Sequence, residues 1–439
     1  MREVGDVACD TLHRRILPVL TARLHALPNG IRIVCDPMEG LQSLALSVVI
    51  RGGARWEAAE HNGWSHLLEH MVFKGAGERS SQDIVEAVEA EGGQINAATG
   101  YERTSFQVRC LKGGLPLAMD VLSDLVRRPT LMEADLEQEK GVIGQEIAEA
   151  ADAPDDRVFD LAQAHAFAGQ ALGRPILGFP DSIGTATPET LRAYHAGLYD
   201  PARIVVSAAG AVDEDELLAL AEAAFGDARS VGSVAEPKAG AFAGGVELET
   251  RKLEQAHLVL LLEGVSARDP DYFAMRVFAE ALGGGMASRL FQVVRETRGL
   301  AYAIDAYCEN FEDVGLFGVY AGTSAADATE AARLSAEQIV ALAEAPSDSE
   351  LSRAKAQLKS SLFMARESPL SRAEQAAGQL HLFDRLFAPE DLAQAIDAVS
   401  AEDLRRVGGR LIASRSAAAV LGPKRAGAAA EAFRARLRG

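Results

Sequence analysis

The sequence predicts an α+β protein of two tandem homologous domains, each a mixed or antiparallel sheet packed with helices. Two observations predict it. Two stretches, each of roughly 200 residues, pass through strands and helices in a similar order, as duplicated units do. Between them, residues 226–245 are rich in Gly, Ala and Ser, contain Pro237 and show little periodicity, which is the composition of a linker. The domains are therefore expected at 21–225 and 246–439. The chain has 439 residues, enough for each half to bury a core of its own.

In the first half, residues 21–35 read as two short strands around Pro28-Asn29-Gly30, because Asn-Gly tolerates the positive φ of a tight turn. Residues 43–51 (SLALSVVIR) form a strand of Leu, Val and Ile that Gly52-Gly53 ends. A loop through Trp56, Asn62 and Gly63 leads into an apolar stretch around His66 that is expected to be helical. A second helix covers 81–91, with Ser81 as its cap and Gly92-Gly93 as its stop. Residues 94–99 and 104–110 are paired strands. Residues 115–127 carry apolar side chains at helical spacing. A long helix follows at 133–151, with Val142 and Ile143 pinning it to the sheet. Helices at 155–168 and 187–196, a turn-rich passage at 172–178, a strand at 204–209 and a helix at 214–225 complete the half.

The second half repeats the rhythm. A strand at 257–262 precedes a helix at 272–282, then Gly283-Gly284-Gly285 and a helix at 288–296. Strands at 301–309 and 315–320 are followed by helices at 326–345, 349–364, 370–382, 389–399 and 401–411, and a strand at 417–421 closes the chain.

Composition excludes several function classes. Charged residues make up 24% and hydrophobic ones 48%, as in a globular protein. The formal net charge of −19 argues against nucleic acid as a ligand, since the phosphate backbone demands a basic surface. Basic or neutral peptides suit an acidic chain better. None of the four cysteines (Cys9, Cys35, Cys110 and Cys308) sits in a C-x-x-C pair, so they are expected reduced and mostly buried. No apolar run is long enough to span a membrane. The run 16–20 is too short for a signal-peptide core and is broken by Pro18. The expectation is a cytoplasmic protein with a loosely ordered start up to about Val19.

The stretch that carries chemistry is His66-Leu67-Leu68-Glu69-His70. On a helix His66 and His70 lie one turn apart on one face, and Glu69 joins them. Two imidazoles so placed can grip one zinc ion, and a carboxylate beside them can take a proton from water. The second half has no such motif on the corresponding helix. A catalytic zinc needs three protein ligands. The helix at 133–151 offers Glu139 and Glu146, seven apart and so on one face.

H-x-x-E-H is the inverse of H-E-x-x-H and is itself a metallopeptidase signature, that of the inverzincins. Here a glutamate follows His70 by 146 − 70 = 76 residues, at the end of the segment Glu139-Lys140-Gly141-Val142-Ile143-Gly144-Gln145-Glu146. Together these resemble the pitrilysin family of zinc metallopeptidases, whose members include insulin-degrading enzyme and the mitochondrial processing peptidases. The length is similar to that of the processing peptidase β subunit and of compact bacterial relatives. The resemblance runs from about Thr21 to Leu421.

That resemblance implies a processing-peptidase-like metallohydrolase fold with one Zn2+ per chain. By it His66, His70 and Glu146 are the metal ligands, Glu69 is the general base and Glu139 supports the site from behind. Asn96-Ala97-Ala98-Thr99 resembles the family's active-site edge strand, to which a substrate peptide adds as a further strand. Residues 283–291 and 295–302 resemble its C-terminal signature, in which an Arg and a Tyr reach across to hold the scissile peptide. Arg295 and Tyr302 match by spacing, and Arg298 competes for the arginine role. The implied function is a zinc endopeptidase acting on unfolded peptides or targeting-type segments in a chamber closed by a homodimer. The same resemblance covers two alternatives: a subunit that needs a related heterodimer partner, and a non-catalytic scaffold.

Overall fold

Strands that are apolar at every position, rather than at every second one, need cover on both faces. This requirement shapes the architecture. The structure is a computed structural model and describes residues 22–232 and 234–438. Cys9 and the expected loose start up to Val19 lie outside the described residues.

The first half supplies β1 (Arg23–Ala26), β2 (Arg32–Pro37), β3 (Ser43–Ile50), a small ribbon of β4 (Gly75–Ala76) and β5 (Arg79–Ser80), then β6 (Gln94–Thr99), β7 (Thr104–Leu111) and β8 (Ile204–Gly210). The second supplies β9 (Gly245–Thr250), β10 (Gln255–Glu263), β11 (Ala301–Asn310), β12 (Gly315–Ser324) and β13 (Ser416–Gly422). One sheet runs β1-β2-β8-β3-β7-β6 and the other β9-β13-β10-β12-β11. The parallel pairs are β2 with β8 and β9 with β13. Leave out β1, and the two sheets have the same strand order and the same directions. The duplication expected from the order of elements is thus present in the topology.

Helices α1 (Trp64–Val72), α2 (Ser81–Ala90), α3 (Leu115–Arg127), α4 (Glu133–Asp152) and α5 (Pro154–Ala166) belong to the first half. On β3, Leu44, Leu46, Val48 and Ile50 share one core with Leu67, Leu68 and Met71 of α1. Val49 points the other way, and there it meets Ala376, Ala377 and Leu380. Those three lie on the helix Pro369–Phe383, which belongs to the second half. The arrangement is reciprocal. Leu258, Leu260 and Leu262 of β10 pack with Phe278 and Leu282 of their own half. Val259 and Leu261 pack with Val158, Ala162 and Ala166 of α5, from the first. Each half therefore lends one helix to the open face of the other's sheet.

Polar contacts reinforce the exchange. Arg372 of the lent helix donates to the buried Asp36 at 3.5 Å, and Arg32 donates to the Leu380 carbonyl at 2.9 Å. The tips of the equivalent hairpins β6–β7 and β11–β12 also meet. The rings of Tyr101 and Phe311 pack edge to face at 5.7 Å, and the Glu312 N–H donates to Glu102 at 3.0 Å.

Several local expectations need correction. The cap of α2 is Ser80, not Ser81, in a reciprocal box with Asp83. The helix expected at 288–296 is a π-helix over Phe291–Thr297. Ile143 is buried, but beside α1 rather than on the sheet, and Val142 is only half-buried. Strand β9 starts at Gly245, the last residue of the expected linker, and no helix or strand occupies the described residues before it from Gly226. The chain does not close with a strand. A final helix, Ala429–Arg438, buries Ala429, Ala430, Phe433 and Leu437 at helical spacing between its arginines. Cys35, Cys110 and Cys308 are free, the first two buried. Among the described residues no helix is long and apolar enough to cross a membrane.

Because each half covers the open face of the other's sheet, unfolding is expected as one transition. Leu380→Ala should cost about 2–5 kcal/mol, as for other buried leucines, without splitting that transition. Calorimetry and urea unfolding check this, and two separable transitions would contradict the interlocked cores.

Candidate metal centre

Helix α1 starts without a cap of its own. Its N-cap is Gly63, in the left-handed region at φ 90, which offers no side chain. A Cβ there would lie 2.7 Å from Gly178 Cα, so the turn at 172–178 closes tightly on the helix start. Two of the orphan N–H groups are met by Glu57, seven residues before Trp64. Its carboxylate accepts from the Gly63 and Ser65 N–H groups, each at 2.8 Å, and from Asn62 Nδ2 at 3.1 Å. A negative charge here also suits the helix dipole. Burial raises the Glu57 pKa, while the bonds from Ser65, Gly63 and Asn62 lower it.

With Leu67, Leu68 and Met71 turned into the core, His66, Glu69 and His70 are left on the face toward α4. That helix buries Leu136 and Ile143 and aligns Glu139 and Glu146 with the histidines. His66 Nε2 lies 3.8 Å and His70 Nε2 3.7 Å from Glu146 Oε2. Ligand atoms of the three residues all fall within 4.8 Å of one another. Tetrahedral ligands about 2.0–2.1 Å from one zinc-sized ion stand about 3.3 Å apart, so these separations suit a single cation.

The protonation states fit as well. His70 Nδ1 is 3.0 Å from Glu139 Oε2, and Lys74 Nζ is 2.6 Å from Glu139 Oε1. Glu139 is 1% exposed, and these two groups are its polar partners there. With Nδ1–H donated to Glu139, the lone pair of His70 sits on Nε2, facing Glu146. Burial, aided by the neighbouring His70, holds the pKa of His66 down at about 4, so it is a neutral imidazole near pH 7. Glu69 is half-buried beside them. Burial raises its pKa, and the hydrogen bond donated by the Thr99 hydroxyl lowers it.

Strand β6 forms the free edge of its sheet next to this centre. Asn96 and Ala98 are exposed and Ala97 is half-buried. A cavity of about 710 Å3 runs along it, lined in part by Glu69, His70, Phe73, Asn96 and Ala97. Arg295 and Tyr302 stand elsewhere. Arg295 lies over the rings of Phe291 and Tyr302, at 4.6 and 5.8 Å, and Tyr302 is 77% exposed. Arg298 is paired with Glu330 at 3.1 Å. Among the described residues no hydrogen bond, ion pair or ring contact joins Arg295 or Tyr302 to the histidines.

Sequence reasoning missed Glu57, Lys74 and the part played by Thr99. Lys74 is four residues after His70 on the continuing turn, a spacing that could have pointed to it. Glu57 acts across a loop and leaves no local pattern.

Comparisons with known proteins show the family. The family model "Insulinase (Peptidase family M16)" matches residues 34–179, and "Peptidase M16 inactive domain" matches 185–358. An uncharacterized zinc protease of Streptomyces coelicolor is 37% identical over 92% of this chain and 90% of its own length. The uncharacterized zinc protease YmxG of Bacillus subtilis is 33% identical over 90% and 97%. Among solved structures, a protease from Helicobacter pylori superposes with a TM-score of 0.85 at 20% identity, covering 92% of this chain and 99% of that one.

The low pKa of His66 makes stability depend on pH. Between its folded value of about 4 and its unfolded value of 6.5, only the unfolded chain takes up the proton. Metal-free protein should keep this contribution in full above the unfolded value and lose up to about 3 kcal/mol as pH falls towards the folded one. Urea unfolding in chelator at pH 7 and at acid pH measures it, and His66→Gln should make the dependence shallower, the remainder coming from His195, His257 and His381, whose pKa values burial also lowers.

Proposed function

The chain belongs to peptidase family M16, and on that premise we propose that it is a zinc endopeptidase with one Zn2+ held by His66, His70 and Glu146. The observation that carries the reading is the convergence of two imidazole Nε2 atoms and one carboxylate within 4.8 Å, with Glu69 alongside. The relatives' names as zinc proteases support the choice of metal.

A zinc ion held there supplies Lewis acidity, polarising a carbonyl and lowering the pKa of water. Glu69 takes the proton of the attacking water as its oxygen bonds to the carbonyl carbon. It then passes that proton to the amine nitrogen as the C–N bond breaks. Glu139, anchored by Lys74, keeps His70 in the tautomer that offers Nε2. The substrate lies as an added strand on β6, with Asn96 giving a side-chain bond and Ala97 and Ala98 leaving the approach open. Only an extended chain can pair along an edge in this way, so unfolded peptides or targeting-type segments are the substrate class.

Arg295 and Tyr302 meet the peptide from the second half, Tyr302 donating to the oxyanion. Arg295 suits this better than Arg298, which Glu330 already engages. Arg295 is bordered by aromatic rings and lies 3.9 Å from its nearest carboxylate, on Glu296. Two copies of the chain enclose the chamber.

The first test is cleavage of a quenched, unstructured basic peptide by wild type and by Glu69→Gln at equal measured zinc content. Wild type should cleave, and the variant should hold zinc but lose about 10²–10⁴ in rate. A zinc-free wild type would overturn the assignment. On gel filtration the chain expressed alone should elute as a dimer with the activity in that peak, and activity only after adding a related chain would favour a heterodimer.

A further inference from the structure

Glu69 bears the proton transfer in the reading above, and a base works only when its oxygen is aimed. We propose that Thr99 is the positioning residue of Glu69, an inference that rests on that reading. The Thr99 hydroxyl donates to Glu69 Oε2. No other side chain hydrogen-bonds to Glu69 among the described residues. One carboxylate oxygen is thus tied to the sheet, while Glu69 itself borders the cavity beside β6. Such a tie, with the Thr99 backbone N–H also directed at the carboxylate, restricts its rotamer.

The tie is useful because Thr99 itself is held rigidly. It pairs with Thr104 as the last rung of the β6–β7 ladder. Thr104 donates its hydroxyl to the Gly52 carbonyl at 3.1 Å. The turn beyond is clamped by backbone bonds from the segment after β3: Gly52 N–H to Glu102 O at 3.1 Å, Ala54 N–H to Gly100 O at 3.1 Å and Arg55 N–H to Tyr101 O at 2.9 Å. Gly53 permits this approach, since a Cβ there would stand 2.2 Å from Gly100 O. The same segment runs on to Glu57, which caps α1. One short stretch of chain therefore sets both the helix that carries the base and the hydroxyl that aims it.

Valine matches threonine in shape and in strand preference but has no hydroxyl. Serine keeps the hydroxyl. In the quenched-peptide assay at equal zinc content, Thr99→Val should lower kcat and kcat/KM together by about ten- to a hundredfold, with KM unchanged, the mark of an interaction used in the transition state. Thr99→Ser should stay within about threefold of wild type. Added to Glu69→Gln, Thr99→Val should cause little further loss, because Thr99 acts only through Glu69. Thermal unfolding of all variants checks that each is folded.

Wild-type kcat in Thr99→Val would overturn the inference and leave the peptidase reading standing. So would a loss in Thr99→Ser equal to that in Thr99→Val, or additive losses in the double variant, since either points to a structural role. Failure of zinc-loaded wild type to cleave would remove the peptidase reading, and this inference with it.

Discussion

The doubly buried central strands, β3 and β10, constrain everything else in this molecule. Neither half can cover both faces of its own sheet. Each takes a helix from the other, α5 over β10 and Pro369–Phe383 over β3. The small residues Ala373, Ala376 and Ala377 let the second of these helices settle closely on the sheet. The result ties α4 into both halves. Helix α4 carries Glu139 and Glu146 and passes through Ala153 into α5, whose apolar face is part of the second core. The position of Glu146 is therefore set from two directions, by Ile143 beside α1 and by the seat of α5 on the far sheet.

Around that frame, the charges of the centre are placed by partners rather than by solvent. Glu57 is stabilised by N–H groups that α1 cannot satisfy itself. Glu139 is stabilised by Lys74 and His70. An unpaired carboxylate in either position would be costly. The second half repeats the scaffold without the chemistry. Its helix Tyr272–Gly283 follows β10 as α1 follows β3, but it fills its faces with Ala274, Met275, Val277, Phe278 and Leu282, all buried.

Much of this was legible because the relevant forces are local or periodic. The run SLALSVVI at β3 and the alternation of β6 reflect two-sided and one-sided burial, and each shows in the composition. The 66, 69 and 70 spacing becomes a shared face once the helix forms. Boundaries were harder. Ser80 and Ser81 are both plausible caps, and only the reciprocal bonds with Asp83 choose between them. The half-exposed β9, GVELET, lacks the apolar run that marked the central strands. The π-helical turn at Phe291–Thr297 differs from an α-helix by hydrogen-bond register, which apolar spacing does not encode.

What the sequence by itself determined is the two-unit α+β plan and the shared helix face of His66, Glu69 and His70, because periodicity and motif spacing are properties of neighbouring residues. Tertiary structure alone decided that Glu57 caps α1, that Thr99 reaches Glu69, and that each half completes the other's core. Those contacts join residues far apart in the chain or depend on where an element packs. Their energies arise only when the folded backbone brings the groups together, so no pattern along the sequence announces them.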